Sequence, residues 1–193
     1  AAREIAALGG FTVVAHPYSK VRWSWGTDIP FAGIEIIDED TMFRKNIPKY
    51  LLYLPAFFVH PRLALLRIIA PPRQTIRKWD ELTGRRQARV YGYYSADVHY
   101  FYRAVLPIFR LHILLANPLS REFEAARSQV FEALRRGSFY NAVEGAAGAK
   151  GFNFWAERDG KIFPMGSELD TAGEAAGVPA ALRFRVSAPF SPA

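Results

Sequence analysis

Continuous apolar runs dominate the first two thirds of the chain. The runs at residues 11–15 (FTVVA) and 33–37 (GIEII) do not alternate, which predicts strands that are buried on both faces, as in a parallel sheet covered by helices. Further apolar runs at 88–94 and 113–116 predict two more strands. Helical sequence fills residues 41–85, so the order of elements predicts an α/β fold with parallel strands.

The most apolar stretch, LLYLPAFFVHPRLALLRIIA at residues 51–70, has about the length of a membrane span. It also contains Pro55, His60, Pro61 and two arginines, which make crossing a bilayer costly. We therefore predict two short helices broken near Pro61 and no transmembrane span. A peripheral membrane contact stays open as the less favoured alternative.

A helix capped by Ser120 and stopped at Gly137 is expected to close the first part of the chain. After Gly137 the pattern changes to short strands, with a strong hairpin signal at Asp159-Gly160. The expected strands cover residues 138–144, 151–158, 161–165 and 181–187, the last of which alternates and so predicts a half-buried strand. We expect two domains, 1–137 and 138–193.

Composition narrows the possible chemistry. The 193 residues suffice for one domain and a small appendage, and both termini look cut, so we expect a fragment of a longer protein. Without cysteine, any metal must be held by histidine and carboxylate ligands. The net charge of +7 suits an anionic partner, but the basic residues are scattered, which favours a solvated surface over nucleic-acid binding.

Polar side chains cluster just past the predicted strand ends, where active sites of α/β folds lie. His16 and Asp38 each follow an apolar run, and Asp97 and His99 follow the third strand. On strand geometry, Asp97 and His99 would project from the same face. Since a strand-end histidine is often structural, a metal site here rests on the combination of His16 with the Asp-x-His pair.

Three segments resemble the C-terminal half of a PHP domain, the polymerase and histidinol phosphatase superfamily. They are GGFTVVAHP at 9–17, GIEII at 33–37 and SADVH at 95–99. The last is similar to the family's closing Gly-Ser-Asp-Ala-His motif, of which only Asp97 and His99 match outright. The resemblance covers roughly residues 1–136.

This resemblance implies a partial, distorted (β/α)7 barrel followed by a small, truncated all-β module. It implies up to three divalent metal ions (Zn, Mn or Fe), with His16, Asp97 and His99 as ligands and Glu35 in a supporting or structural role. The family's opening His-x-His motif and its following ligands have no counterpart in the chain. We therefore expect the remaining ligands upstream, and expect this fragment to be inactive alone.

The implied function is that of a metal-dependent phosphoesterase, which hydrolyses small phosphate esters through a metal-activated water. Lys20, Arg22 and Arg44 follow the first two strands and could bind the phosphate, although each also fits a plain surface cation. The alternative is a PHP-like scaffolding domain that binds no metal and catalyses nothing. Nucleic acid is the less favoured partner.

Overall fold

The computed structural model describes residues 1–18, 23, 29–37, 44–85, 89–97, 99, 102–169 and 181–189. Contacts divide the chain into two compact units, which we describe separately. The first unit consists of Ala1–Leu111 with Asn141–Gly148, and the second consists of His112–Tyr140 with Ala149–Ala193.

A three-stranded parallel sheet organises the first unit. Its strands β1 (Val13–Val14), β2 (Gly33–Ile37) and β3 (Tyr91–Tyr94) lie in the order β1-β2-β3. All five residues of β2 are buried, which confirms the prediction from its continuous apolar run. Burial on both faces was also predicted for β1, and there the prediction is wrong. This strand has only two residues, of which Val13 is exposed and Val14 is buried.

Helices fill the sequence between and around these strands. They are α1 (Ala2–Ala7), α2 (Ile47–Val59), α3 (Pro61–Ile68), α4 (Arg73–Arg85) and α5 (Tyr102–Val105). The predicted break is confirmed: α2 ends at Val59 and α3 begins at Pro61. None of the described helices combines the length and the apolar character that crossing a bilayer requires.

The core of the first unit forms where helices cover the sheet. Ile34 on β2 is fully buried, with Leu65 of α3 and Leu82 of α4 in the same apolar cluster. The Trp79 indole N–H donates to the Val90 carbonyl oxygen at 2.6 Å, which ties α4 to the start of β3. This packing holds the start of β3 against α4.

The free edge of β3 is paired by a side chain. Asn141 lies in β5 (Phe139–Val143), which pairs with β4 (Phe109–Ile113). The Asn141 amide donates to the Gly92 carbonyl oxygen at 2.9 Å, and its oxygen accepts the Tyr94 N–H at 3.0 Å. One side chain therefore satisfies a donor and an acceptor that an edge strand would otherwise expose.

The second unit contains one long helix and an antiparallel sheet. Helix α6 (Phe123–Arg136) ends at Gly137, whose φ of 72° is left-handed, as predicted. Its N-cap is Glu122 rather than Ser120: the Glu122 carboxylate accepts the N–H groups of Glu124 and Ala125 at 2.9 and 2.6 Å. These two hydrogen bonds lower the pKa of Glu122.

The antiparallel sheet has the order β7-β6-β8, with β6 (Asn153–Arg158), β7 (Lys161–Pro164) and β8 (Arg183–Ser187). The predicted hairpin is confirmed, since Asp159 and Gly160 have φ values of 51° and 72°, as a type I′ turn requires. Strand β8 was expected to be half-buried. That expectation is wrong, because all five of its residues are exposed.

The chain is therefore a mixed α/β protein with a parallel sheet. The described residues contain no closed barrel. The PHP-type barrel and the domain boundary at residue 137 stay predictions.

Candidate metal site

Residues from three neighbouring strands meet at one edge of the parallel sheet. His16 follows β1, Glu35 lies within β2, and Asp97 follows β3. Because parallel strands end at the same edge, residues 81 positions apart in sequence become neighbours, as the sequence predicted for His16 and Asp97. Glu35 is buried, with 6% of its side chain exposed, whereas His16 and Asp97 are partly exposed.

The His16 imidazole lies between two carboxylates. Its Nδ1 is 2.6 Å from Glu35 Oε2, and its Nε2 is 3.5 Å from Asp97 Oδ2. The backbone N–H of His16 donates to the same Glu35 oxygen at 2.7 Å. The backbone N–H makes the aligned hydrogen bond, whereas Nδ1 lies close to the same oxygen without hydrogen-bond geometry. Glu35 thus binds the backbone of His16 and lies against its ring.

Both His16 and Asp97 have left-handed backbones. Their φ angles are 45° and 37°, and the only other non-glycine residue with a positive φ in the described part of the chain is Asp159 of the hairpin. Such conformations cost about 1–3 kcal/mol and cluster at functional sites. A side chain binds the backbone N–H of each: Glu35 for His16, and Ser95 Oγ at 3.3 Å for Asp97.

The donor atoms of His16 and Asp97 fit a divalent metal ion. Two donors of one tetrahedral zinc ion, each at about 2.0–2.2 Å, are about 3.4 Å apart. Nε2 and Oδ2 are separated by 3.5 Å. A carboxylate near Nδ1, as Glu35 provides, is the usual device that orients a ligating imidazole.

These residues form part of a metal site rather than a whole one. Over the described ranges, no three His, Asp or Glu side chains come together as a metal-binding group. His99 in particular is exposed, and its Nδ1 lies 2.9 Å from the carbonyl oxygen of Asp97. The chain therefore brings together His16 and Asp97 and leaves His99 outside the pair.

The parallel projection expected for Asp97 and His99 is wrong. Strand β3 ends at Tyr94, so neither residue lies on a strand. The left-handed φ of Asp97 turns the backbone, and the His99 ring contacts its own segment. The i, i+2 rule applies only where extended backbone continues through both residues.

The predicted phosphate-binding residues are placed only in part. Lys20 and Arg22, like Asp38, lie outside the described residues. Arg44 is exposed shortly before α2. Lys45 was not among the predicted phosphate-binding residues, yet its ammonium lies 6.0 Å from the Tyr18 ring centroid, which brings this cation close to the segment that carries His16.

Two tyrosines of β3 stay neutral close to this edge. Burial, with a smaller contribution from Tyr91, raises the pKa of Tyr93 to about 12. Burial also raises the pKa of Tyr94. Neither supplies an anionic ligand near neutral pH.

Comparisons with protein-family models, curated proteins and solved structures found no match to this chain. The PHP resemblance therefore depends on the three short segments alone.

Proposed function

We propose that the chain contributes His16 and Asp97 to the metal site of a PHP-type phosphoesterase. The observation that supports this most is the 3.5 Å separation of His16 Nε2 and Asp97 Oδ2 at the end of a parallel sheet, with Glu35 against the other ring nitrogen. Under this proposal the sheet is part of a PHP-type (β/α)7 barrel. The remaining ligands come from a segment outside the 193 residues, as the family pattern implies.

Bound divalent ions would supply a water of lowered pKa and would neutralise charge on phosphoryl oxygens. The chain's own part is positional. Glu35 fixes the rotation of the His16 ring, and Ser95 fixes the turn that presents the Asp97 carboxylate. Arg44, Lys20 and Arg22 would hold the remaining negative charge of a small phosphorylated substrate.

Metal titration of the longer protein, which would supply the remaining ligands, tests the ligand assignment directly. We expect Zn²⁺ or Mn²⁺ to bind, and His16→Gln or Asp97→Asn to abolish that binding. His60→Gln is the matched control, because His60 is an exposed histidine between α2 and α3, away from the pair. Loss of metal in the control, or unchanged affinity in both site variants, would contradict the assignment.

Glu35→Gln separates ligation from orientation. Because Glu35 acts through His16, we expect a 10–100-fold weaker affinity rather than complete loss, about the effect of losing an outer carboxylate. An unchanged affinity would show that the Glu35 contact does not tune the ligand.

Hydrolysis of p-nitrophenyl phosphate by the longer protein distinguishes enzyme from scaffold. For an enzyme, Asp97→Asn lowers kcat strongly, and Arg44→Gln raises KM more than it lowers kcat. A longer protein that binds no metal and hydrolyses no phosphate ester would favour the metal-free scaffold.

A further inference from the structure

Helix α2 presents an apolar face to solvent. None of its residues is buried, and Tyr50 and Phe57 only pack partly against the core. The opposite side of the helix consists of exposed aliphatic and aromatic side chains. The most exposed are Phe58 at 80%, Leu52 at 72%, Val59 at 70% and Leu51 at 65%. Scattered exposed apolar residues are ordinary, but a continuous helix face marks a binding surface.

Helix α3 extends this surface. Leu63 is exposed, and a groove of about 760 Å³ runs between the two helices. Its lining is mostly apolar, with His60 and Arg67 as its two basic side chains. The lining residues include Tyr53, Ala56, Val59, Leu63, Leu66 and Arg67.

The formal charges carried by α2, α3 and the sequence that flanks them are all positive. Residues 41–79 contain eight Lys and Arg residues and no Asp or Glu. Lys49 on α2 and Arg62 and Arg67 on α3 are exposed. No ion pair to these three occurs in the described part of the chain, so their charges are available to an anionic partner.

We propose that α2 and α3 dock on an anionic lipid surface, with α2 lying in the plane of the interface. Exposed apolar side chains flanked by lysine and arginine are the signature of interfacial helices. A second copy of the chain fits less well, because a two-fold contact would bring the same cations against each other. An anionic bilayer supplies both an apolar interior for Phe58 and negative headgroups for Lys49 and Arg62.

Flotation with lipid vesicles tests the proposal. The chain should float with vesicles of phosphatidylcholine and phosphatidylglycerol, and much less with phosphatidylcholine alone. Removing the Phe58 side chain in Phe58→Ser should weaken partitioning by about tenfold or more. Each of Lys49→Gln and Arg62→Gln should weaken it by about fivefold on anionic vesicles only.

Phe123→Ser is the matched control, since Phe123 is 71% exposed on α6, in the second unit. It should float like the unaltered chain, and circular dichroism should show that all variants fold. Equal flotation of Phe58→Ser and the unaltered chain would overturn the proposal. So would equal binding to neutral and anionic vesicles. Sedimentation velocity without lipid tests the alternative of a second copy. If the chain does not float but forms a dimer, and Phe58→Ser dissociates that dimer, the apolar face binds a second copy and the proposal is overturned.

Discussion

Because the backbone of His16 is left-handed, glycine should be more stable than alanine at this position, the reverse of the usual order. With φ at 45°, any L side chain costs about 1–2 kcal/mol there, and glycine avoids that cost. Glycine in turn loses about 0.5–1 kcal/mol through the greater freedom of the unfolded chain. Replacing His16 by glycine or by alanine removes the same imidazole and the same ring contact with Glu35, so these losses cancel between the two variants. We expect His16→Gly to exceed His16→Ala in unfolding free energy by about 0.5–1 kcal/mol.

Urea denaturation followed by circular dichroism measures this difference, with EDTA present so that metal binding does not contribute. Ala15 provides the matched control. It is exposed and adjacent, and its φ is not positive, so Ala15→Gly should lower the unfolding free energy by about 0.5–1 kcal/mol. The sign should therefore reverse between two neighbouring positions.

A His16→Gly variant less stable than His16→Ala by about 0.5–1 kcal/mol, as expected at Ala15, would refute the reasoning, because it would mean that the backbone stores no strain at this residue. A result in which both variants match the unaltered chain would go further. It would show that the contacts of the ring with Glu35 and Asp97 add nothing to stability.

Four further changes test how the sheet edge and the second unit are held. Asn141→Ala should lower the unfolding free energy by about 1–3 kcal/mol in urea melts, because the Gly92 carbonyl and the Tyr94 N–H lose their partner. Gly33→Ala should cost about 1–3 kcal/mol or more in the same melts, since the new methyl group meets the Tyr91 carbonyl oxygen and the Tyr93 ring. Burial raises the pKa of Tyr93 to about 12, so its contribution to the unfolding free energy is fully present below pH 10 and is lost as the pH rises through 12. Tyr93→Phe should therefore reduce the change in melting temperature across that pH range. The Glu122 carboxylate has a lowered pKa, so it stabilises α6 fully above the ordinary glutamate pKa, and this stabilisation is lost as the pH falls through the lowered pKa. Glu122→Gln should therefore remove this acid dependence of helicity in circular dichroism.

Local patterns predicted the elements whose signals are local. The apolar run of β2, the Asp159-Gly160 hairpin and the break before Pro61 each depend on a few adjacent residues. Contacts between residues far apart in sequence were not predicted. The Asn141 side chain accepts the Tyr94 N–H across 47 residues of sequence, and no pattern near either residue predicts this hydrogen bond. The N-cap of α6 was predicted only approximately. Both Ser120 and Glu122 carry oxygen acceptors suited to an N-cap, but Ser120 Oγ accepts the Glu122 N–H and Glu122 is the cap.

The candidate site divides in the same way. That His16 and Asp97 should meet followed from parallel strands sharing one edge, which needs only the order of strands and not their lengths. The direction of the His99 side chain could not be predicted in this way, because it depends on the φ angle of Asp97. The identity of a residue does not by itself predict a left-handed backbone. The same turn that spoils the i, i+2 geometry aims the Asp97 carboxylate at His16. The strain at Asp97 and the pairing of the two candidate ligands are therefore consequences of one backbone conformation.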